Sequence, residues 1–289
     1  RIERLLESPE LRVGSVGRSV VRAALLRTFG LGESTLESEL VDLARGGEVD
    51  LGFRTSFPDN ILRPVARAKT AEEADTRIAE VVSAIRERLG AIVYGGDGDS
   101  MESVVGRLLA ESGSTVATAE SCTGGLIAER ITDVPGSSVY FRGGIVAYSN
   151  EAKASLLGVP VDLIEAHGAV SEPGVRAMAE GALRRFETDF AVATSGISGP
   201  AGGTAEKPVG LVWMALARRA DSTRSARDAG ASAHVVTHAD SFVFAVDRTR
   251  HRMLTAQVAL DWIRRSLLGV ELVGPSLLRR GGGSAPGSA

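Results

Sequence analysis

One stretch, Thr118-Ala119-Glu120-Ser121-Cys122-Thr123-Gly124-Gly125, restricts the fold of this chain more than any other. The small and β-branched residues from Ser114 to Ala119 predict a short buried strand. Leu126 to Val134 predict a helix, with Leu126, Ile127 and Ile131 along one face. A strand that passes into a helix through hydroxyls, a thiol and two glycines fits an α/β sheet. It sets the turn residues at the carboxyl edge, in front of free helix N–H groups. That position suits a nucleophilic Ser121 or Cys122, and it suits an anion equally well. A capped turn of small residues with no chemistry has the same pattern.

The 289 residues are long enough for two domains, each with its own core, and the 44% hydrophobic and 24% charged composition is that of a globular protein. A net charge of -3 gives no support to a strongly electrostatic nucleic-acid partner. The single cysteine excludes an intrachain disulfide and a Cys-rich metal site, and it fits a reducing, cytoplasmic setting. The histidines at 167, 234, 238 and 251 form no metal-ligand motif; His234 and His238 lie four apart on an expected strand without a carboxylate partner. No metal and no cofactor are therefore expected. No window approaches 18 apolar residues and no signal peptide is visible, so no membrane partner is expected. The chain opens at Arg1 without a methionine, and the natural protein is expected to begin earlier. Of its 33 cations, 30 are arginine; Lys69, Lys153 and Lys207 stand apart, as places where a compact amine that can lose its proton is wanted.

Residues 1–95 read as a small α+β unit. Val20–Phe29 becomes strand-like towards its end, Ser34 and Glu37 predict a capping box for a helix over Thr35–Ala44, and Val49–Phe53 and Ile61–Ala68 alternate as two strands. Thr70 with Glu72 and Glu73 opens a helix to about Leu89. This order is of the KH kind, a shape that often binds single-stranded nucleic acid. The GxxG backbone clamp is missing, and residues 1–90 carry 14 basic against 15 acidic side chains, so a structural or interaction role is expected rather than RNA binding. Gly95–Asp99 is the linker. Residues 96–270 then alternate strand and helix in an α/β domain with a mostly parallel sheet, open to antiparallel additions. Its elements include a helix over 172–186, strands at Phe190–Thr194, Gly210–Ala217 and His234–Ala245, and a long helix over Asp247–Leu268 with Leu254, Val258 and Trp262 on one side. Residues 271–289, ending in GGGSAPGSA, read as a flexible tail.

Three loops are expected to converge at the carboxyl ends of the strands, where α/β folds place their sites. The first holds Ser121 and Cys122. The second is Tyr148–Lys153, with Asn150 read as the N-cap and Lys153 in the first turn, where a cation opposes the helix dipole and invites a reason. The third runs from Thr194 to Thr204 and on through Glu206-Lys207-Pro208; its glycines and hydroxyls expose N–H groups to phosphate or an oxyanion, although it is not a P-loop.

Thr118–Gly125, Pro135–Ser138, Gly144–Lys153, His167–Glu172 and Ser195–Gly210 together strongly resemble the C-terminal domain of the CinA family, over about residues 100–268. Residues 10–90, with Leu26–Ser34, resemble that family's KH-type middle domain. The resemblance implies a three-layer α/β/α amidase domain behind a smaller α+β KH-like domain. It implies hydrolysis of the carboxamide of nicotinamide mononucleotide to nicotinic acid mononucleotide and ammonia, in pyridine nucleotide salvage. A further N-terminal domain of the family, associated with ADP-ribose pyrophosphatase activity, is not matched by these residues. By resemblance and chemistry, Ser121 is the expected nucleophile, with Lys153 and Tyr148 carrying protons and N–H groups after Ser121 holding the oxyanion. Thr123, Gly124, Ser195, Gly196, Thr204, Lys207 and Arg248 are expected to bind the mononucleotide, and a homodimer is the expected assembly. The chain departs from the family's GIAGPxGG run at Ser198 and Ala201, which stand for the commoner Ala and Asp, and Val246 replaces the glycine of the usual Gly-Asp-Arg. Two other readings are a catalytically idle scaffold in DNA uptake or damage response, and a nucleotide-binding regulator of the family's front domain.

Overall fold

The computed structural model describes residues 19–44, 49–220 and 234–276. The first sheet is built around β4 (Asp59–Ala68), whose alternate residues Asn60, Leu62, Ala66 and Ala68 are buried. β3 (Val49–Ser56) pairs along one side of it, and β1 (Val20–Ala23) and β2 (Leu26–Thr28) share the other, all antiparallel; β5 (Val93–Gly95) pairs with β2. The stretch expected as one strand is two, broken at Ala24-Leu25. α3 (Ala71–Leu89) covers the sheet, with Thr70 accepting the Glu73 N–H and Glu73 accepting the Lys69 N–H in return. The capping box expected at Ser34 does not form. α1 (Glu33–Glu39) starts two residues earlier than expected, behind an extended Gly32 with no side-chain cap, and Leu40 separates it from the short α2 (Val41–Ala44). Burial of Leu36 and Leu40 against Leu62 and Ile85 sets this entry angle over the local capping preference.

Ser100 and Ser103 cap each other at the start of α4 (Met101–Ser112), which leads into the second sheet. There β6 (Val116–Glu120) lies between the parallel β7 (Phe141–Val146) and β8 (Phe190–Gly196), followed by antiparallel β9 (Leu211–Arg219) and β10 (Val235–Val243), in the order β10-β9-β8-β6-β7. Successive side chains point to opposite faces, and the two faces differ in bulk. Val116, Val192, Met214 and Leu216 pack against α4, α5 (Leu126–Thr132) and α9 (Arg248–Leu267). The other face is largely alanine, with Ala119, Ala191, Ala193, Ala215 and Ala217 all at 0% exposure, under α8 (Glu172–Phe186). α6 (Asn150–Leu157) and α7 (Val161–His167) pack on α8. A Cβ at Gly181 of α8 would collide with the Leu157 carbonyl, so this glycine lets α6 approach closely enough to bring Lys153 to the sheet edge. The result is a three-layer α/β/α arrangement behind a smaller α+β, KH-like unit. Among the described residues no helix is long and apolar enough to cross a membrane.

The segment after α9 does not leave the molecule at once. Val273 accepts from Trp262 Nε1, and Ser276 donates its N–H and hydroxyl to the Gly30 carbonyl. The glycine-rich end of the tail lies outside the described residues.

A polar joint connects the two sheets. Asp59 accepts from Tyr94 (2.7 Å) and from Gln257 of α9 (2.6 Å), and Arg27 stands 3.8 Å away. Arg130 of α5 donates to Gln257 and Glu102. Burial pushes the Asp59 carboxyl up to about 6, against the Tyr94 hydrogen bond and the Arg27 and Arg130 charges. A raised carboxyl contributes stability below its unfolded value of 3.8, lost as pH climbs through about 6, by up to about 3 kcal/mol. Asp59→Asn is therefore expected to gain stability relative to the parent between pH 4.5 and 7.5, read from urea unfolding at both pH values. A constant difference would show that this carboxyl is not raised.

Candidate active site

The chain leaves β6 at Glu120 and re-enters helix at Leu126, and it needs both glycines to do so: Gly124 has φ 60° and Gly125 φ 95°, backbone that side-chain-bearing residues rarely adopt. Glu120 is 1% exposed, and its carboxylate accepts from the N–H groups of Gly125, Ile127 and Ala128 at 2.9–3.0 Å. The N–H groups expected to stand free at this helix start are thus occupied by the chain's own carboxylate. The helix end is already neutralised, which removes the case for an external anion on α5 and takes these amides from the set available to an oxyanion.

Ser121 and Cys122 follow with different surroundings. Ser121 Oγ lies 3.3 Å from Lys153 Nζ. Cys122 is 5% exposed, and burial pushes its thiol up to about 12. Lys153 is 3% exposed in the first turn of α6, whose cap is Ser149, accepting from the Ala152 N–H. Asn150, expected as that cap, is the first helical residue instead. The Lys153 amine faces the carbonyl oxygens of Ala147 (3.0 Å), Tyr148 (3.4 Å) and Ser149 (3.5 Å). These carbonyls hold it where the helix dipole alone would not. Desolvation lowers its pKa below the usual 10.5.

Ser121 and Lys153 lie in a cavity of about 220 Å³, also lined by Cys122, Tyr148, Asn150, Ala169, Val170, Ser195, Gly196, Ser198 and Arg248. Arg248, at the start of α9, donates to the Gly199 carbonyl (3.0 Å) and to the Tyr148 hydroxyl (3.1 Å). The Tyr148 phenol thus belongs to the rim with Arg248, and its backbone carbonyl is the part that faces Lys153. Ser195 is buried and donates to the Ala169 carbonyl (2.7 Å), fixing the third loop against the segment before α8.

The remaining expected binding residues do not line this cavity. Thr123 is fully buried, its hydroxyl paired with Thr194 at 2.8 Å and its carbonyl taken by Arg252. Gly124 shapes the turn. Thr204 and Lys207 close a local turn on each other, and the Lys207 amine donates to the His167 carbonyl at 2.7 Å. Asn150, Ala169, Val170 and Ser198 are lining residues that sequence reasoning passed over. Asn150 was hidden by its cap-like character, and Ser198 was visible only as a departure from a pattern. Among the described residues no group of three His, Cys, Asp or Glu side chains is placed to hold a metal.

Comparison with known proteins agrees with this architecture. Residues 98–267 match the family profile described as CinA C-terminal domain, and residues 24–95 match that described as damage-inducible protein CinA KH domain. The chain is 45% identical over 253 residues to a CinA-like protein of Geobacter sulfurreducens, covering 87% of this chain and 58% of that protein. It is 40% identical over 268 residues to a CinA-like protein of Gloeobacter violaceus, covering 92% and 59%. The chain therefore spans about three-fifths of the length of the curated relatives it matches. The crystal structure of competence damage-inducible protein A from Klebsiella pneumoniae superimposes with a TM-score of 0.51 at 31% identity, covering 58% of this chain and 95% of that one. With its KH and C-terminal domains both matched, this chain belongs to the CinA family.

Proposed function

We propose that this chain is a nicotinamide-nucleotide amidase, which hydrolyses the carboxamide of nicotinamide mononucleotide by a Ser–Lys mechanism. The observation that carries this reading is the buried Lys153 amine, 3.3 Å from the Ser121 hydroxyl in an open cavity. A buried amine with a lowered pKa is a general base within hydrogen-bond reach of a nucleophile. In its neutral form, Lys153 has two hydrogens for the facing carbonyls and one lone pair for the Ser121 proton. The positive pyridinium ring of the substrate disfavours a second cation beside it and keeps the amine neutral.

Ser121 Oγ attacks the carboxamide carbon and its proton passes to Lys153. The ammonium so formed offsets the charge on the tetrahedral oxygen. Lys153 then returns the proton to the departing nitrogen, which leaves as ammonia. Water attacks the resulting ester, with Lys153 again taking a proton, and the carboxylate product leaves with Ser121 restored. Arg248 at the rim receives the 5′-phosphate, and Tyr148 holds that guanidinium in place. The test is ammonia release from nicotinamide mononucleotide. A folded chain that binds the nucleotide without releasing ammonia would favour a binding protein, and one that does neither would favour a scaffold.

Arg248→Ala is expected to raise KM for the mononucleotide about tenfold to a hundredfold with kcat changed less than about threefold, as for one lost charge-assisted contact. Lys207→Ala is expected to stay within about threefold on both, because its amine is held at His167 outside the cavity. Steady-state kinetics on the two variants decides; a fall in kcat at constant KM for Arg248→Ala would remove it from phosphate binding.

A further inference from the structure

Ser198 and His251 form a pair inside this site whose hydrogen positions follow from simple constraints. Ser198 is 5% exposed and lines the cavity; its Oγ lies 3.0 Å from His251 Nδ1. His251, on α9, is fully buried, and its Nε2 lies 3.1 Å from the Gly210 carbonyl oxygen. A carbonyl oxygen only accepts, so Nε2 carries the ring hydrogen. Burial, against the Gly210 hydrogen bond and aided by the Arg248 charge, lowers the ring's pKa, so the imidazole is neutral and Nδ1 is bare. A bare Nδ1 only accepts, and the Ser198 hydroxyl hydrogen is therefore committed to it.

An ordinary serine on a cavity wall turns its hydroxyl to suit either a donor or an acceptor. Ser198 cannot do so without leaving a buried ring nitrogen unpaired. What its hydroxyl can offer a ligand in the cavity this residue lines is a lone pair and no hydrogen. The next residue, Gly199, supplies the carbonyl that fixes Arg248, so this acceptor stands on the Arg248 side of the site.

We propose that Ser198, held as an obligate acceptor by His251, is a specificity-determining residue that takes a hydrogen bond from a hydroxyl of the ligand beside the group bound by Arg248. Its identity as a ribose hydroxyl rests on the mononucleotide reading given above. A nucleotide carries its ribose hydroxyls between base and phosphate, and a hydroxyl there must donate to be accommodated.

The experiment compares the parent chain and Ser198→Ala on nicotinamide mononucleotide and on its 2′-deoxy and 3′-deoxy analogues, by kinetics and by calorimetric Kd. Ser198→Ala is expected to raise KM and Kd for the mononucleotide about fivefold to tenfold, with kcat within about twofold. The parent is expected to lose the same factor on one deoxy analogue, and Ser198→Ala to lose nothing further on it. Nitrogen NMR of the parent is expected to show His251 protonated at Nε2 alone. Equal losses for Ser198→Ala on all three ligands, or discrimination by the parent against neither analogue, would overturn the proposal. Ammonia release and binding are read separately. Absence of release with the expected Kd pattern removes the amidase reading and leaves the acceptor standing, whereas release without the pattern does the reverse.

Discussion

Ser121→Ala is expected to lower kcat/KM for nicotinamide mononucleotide at least about a thousandfold, a loss of about 4 kcal/mol of transition-state stabilisation, while Cys122→Ala stays within roughly tenfold. The two side chains are neighbours, and intrinsic nucleophilicity favours the thiol. Their surroundings reverse that order. The thiolate is the reactive form of a cysteine, and burial raises the Cys122 thiol to about 12, so almost none ionises near neutrality. Ser121 has the Lys153 amine 3.3 Å from its oxygen to take its proton as it attacks. Circular dichroism on both variants separates lost chemistry from lost fold. An inactive Cys122→Ala beside an active Ser121→Ala would reverse the assignment.

Lys153→Met should be as damaging to turnover, by about a thousandfold or more, yet should melt no lower than the parent at pH 7. The methionine keeps an unbranched stem of similar reach and removes the amine. Desolvation depresses the folded pKa of Lys153 below 10.5. The stability linked to such a group is present above its unfolded pKa and is lost as pH falls through the folded one. At neutral pH, below the unfolded pKa, that stability is diminished, so the buried amine opposes folding relative to an uncharged side chain, and its removal relieves that cost. The parent's kcat/KM should rise with pH along a single ionisation below 10.5, and this limb should be missing from any residual activity of the variant. A large fall in melting temperature would mean that the carbonyl cradle of Ala147, Tyr148 and Ser149 needs the amine for its own stability.

The strand–turn–helix at 116–132, the helix over 172–186 and the long last helix were legible because each is a local pattern: small residues then glycines, or apolar residues at helical spacing between caps. The nearness of Ser121 and Lys153 was legible as two loops expected to converge at one sheet edge, and through the resemblance of their motifs to a family. Thirty-two residues separate them, and no local period brings them together.

What the sequence determined alone was the set of elements, the α/β alternation and the chemistry of the side chains offered at each loop. Tertiary structure decided which of those side chains share a cavity. Glu120 occupies the helix start whose N–H groups were expected to stand free, Lys207 turns to the His167 carbonyl, and Tyr148 joins Arg248 at the rim. Ser198 gains a fixed hydrogen-bond direction from His251, 53 residues further along. The physical reason is the same for each. A buried polar group has to be paired, and its partner is chosen by where the sheet and its helices place it in space, which local residue spacing does not encode.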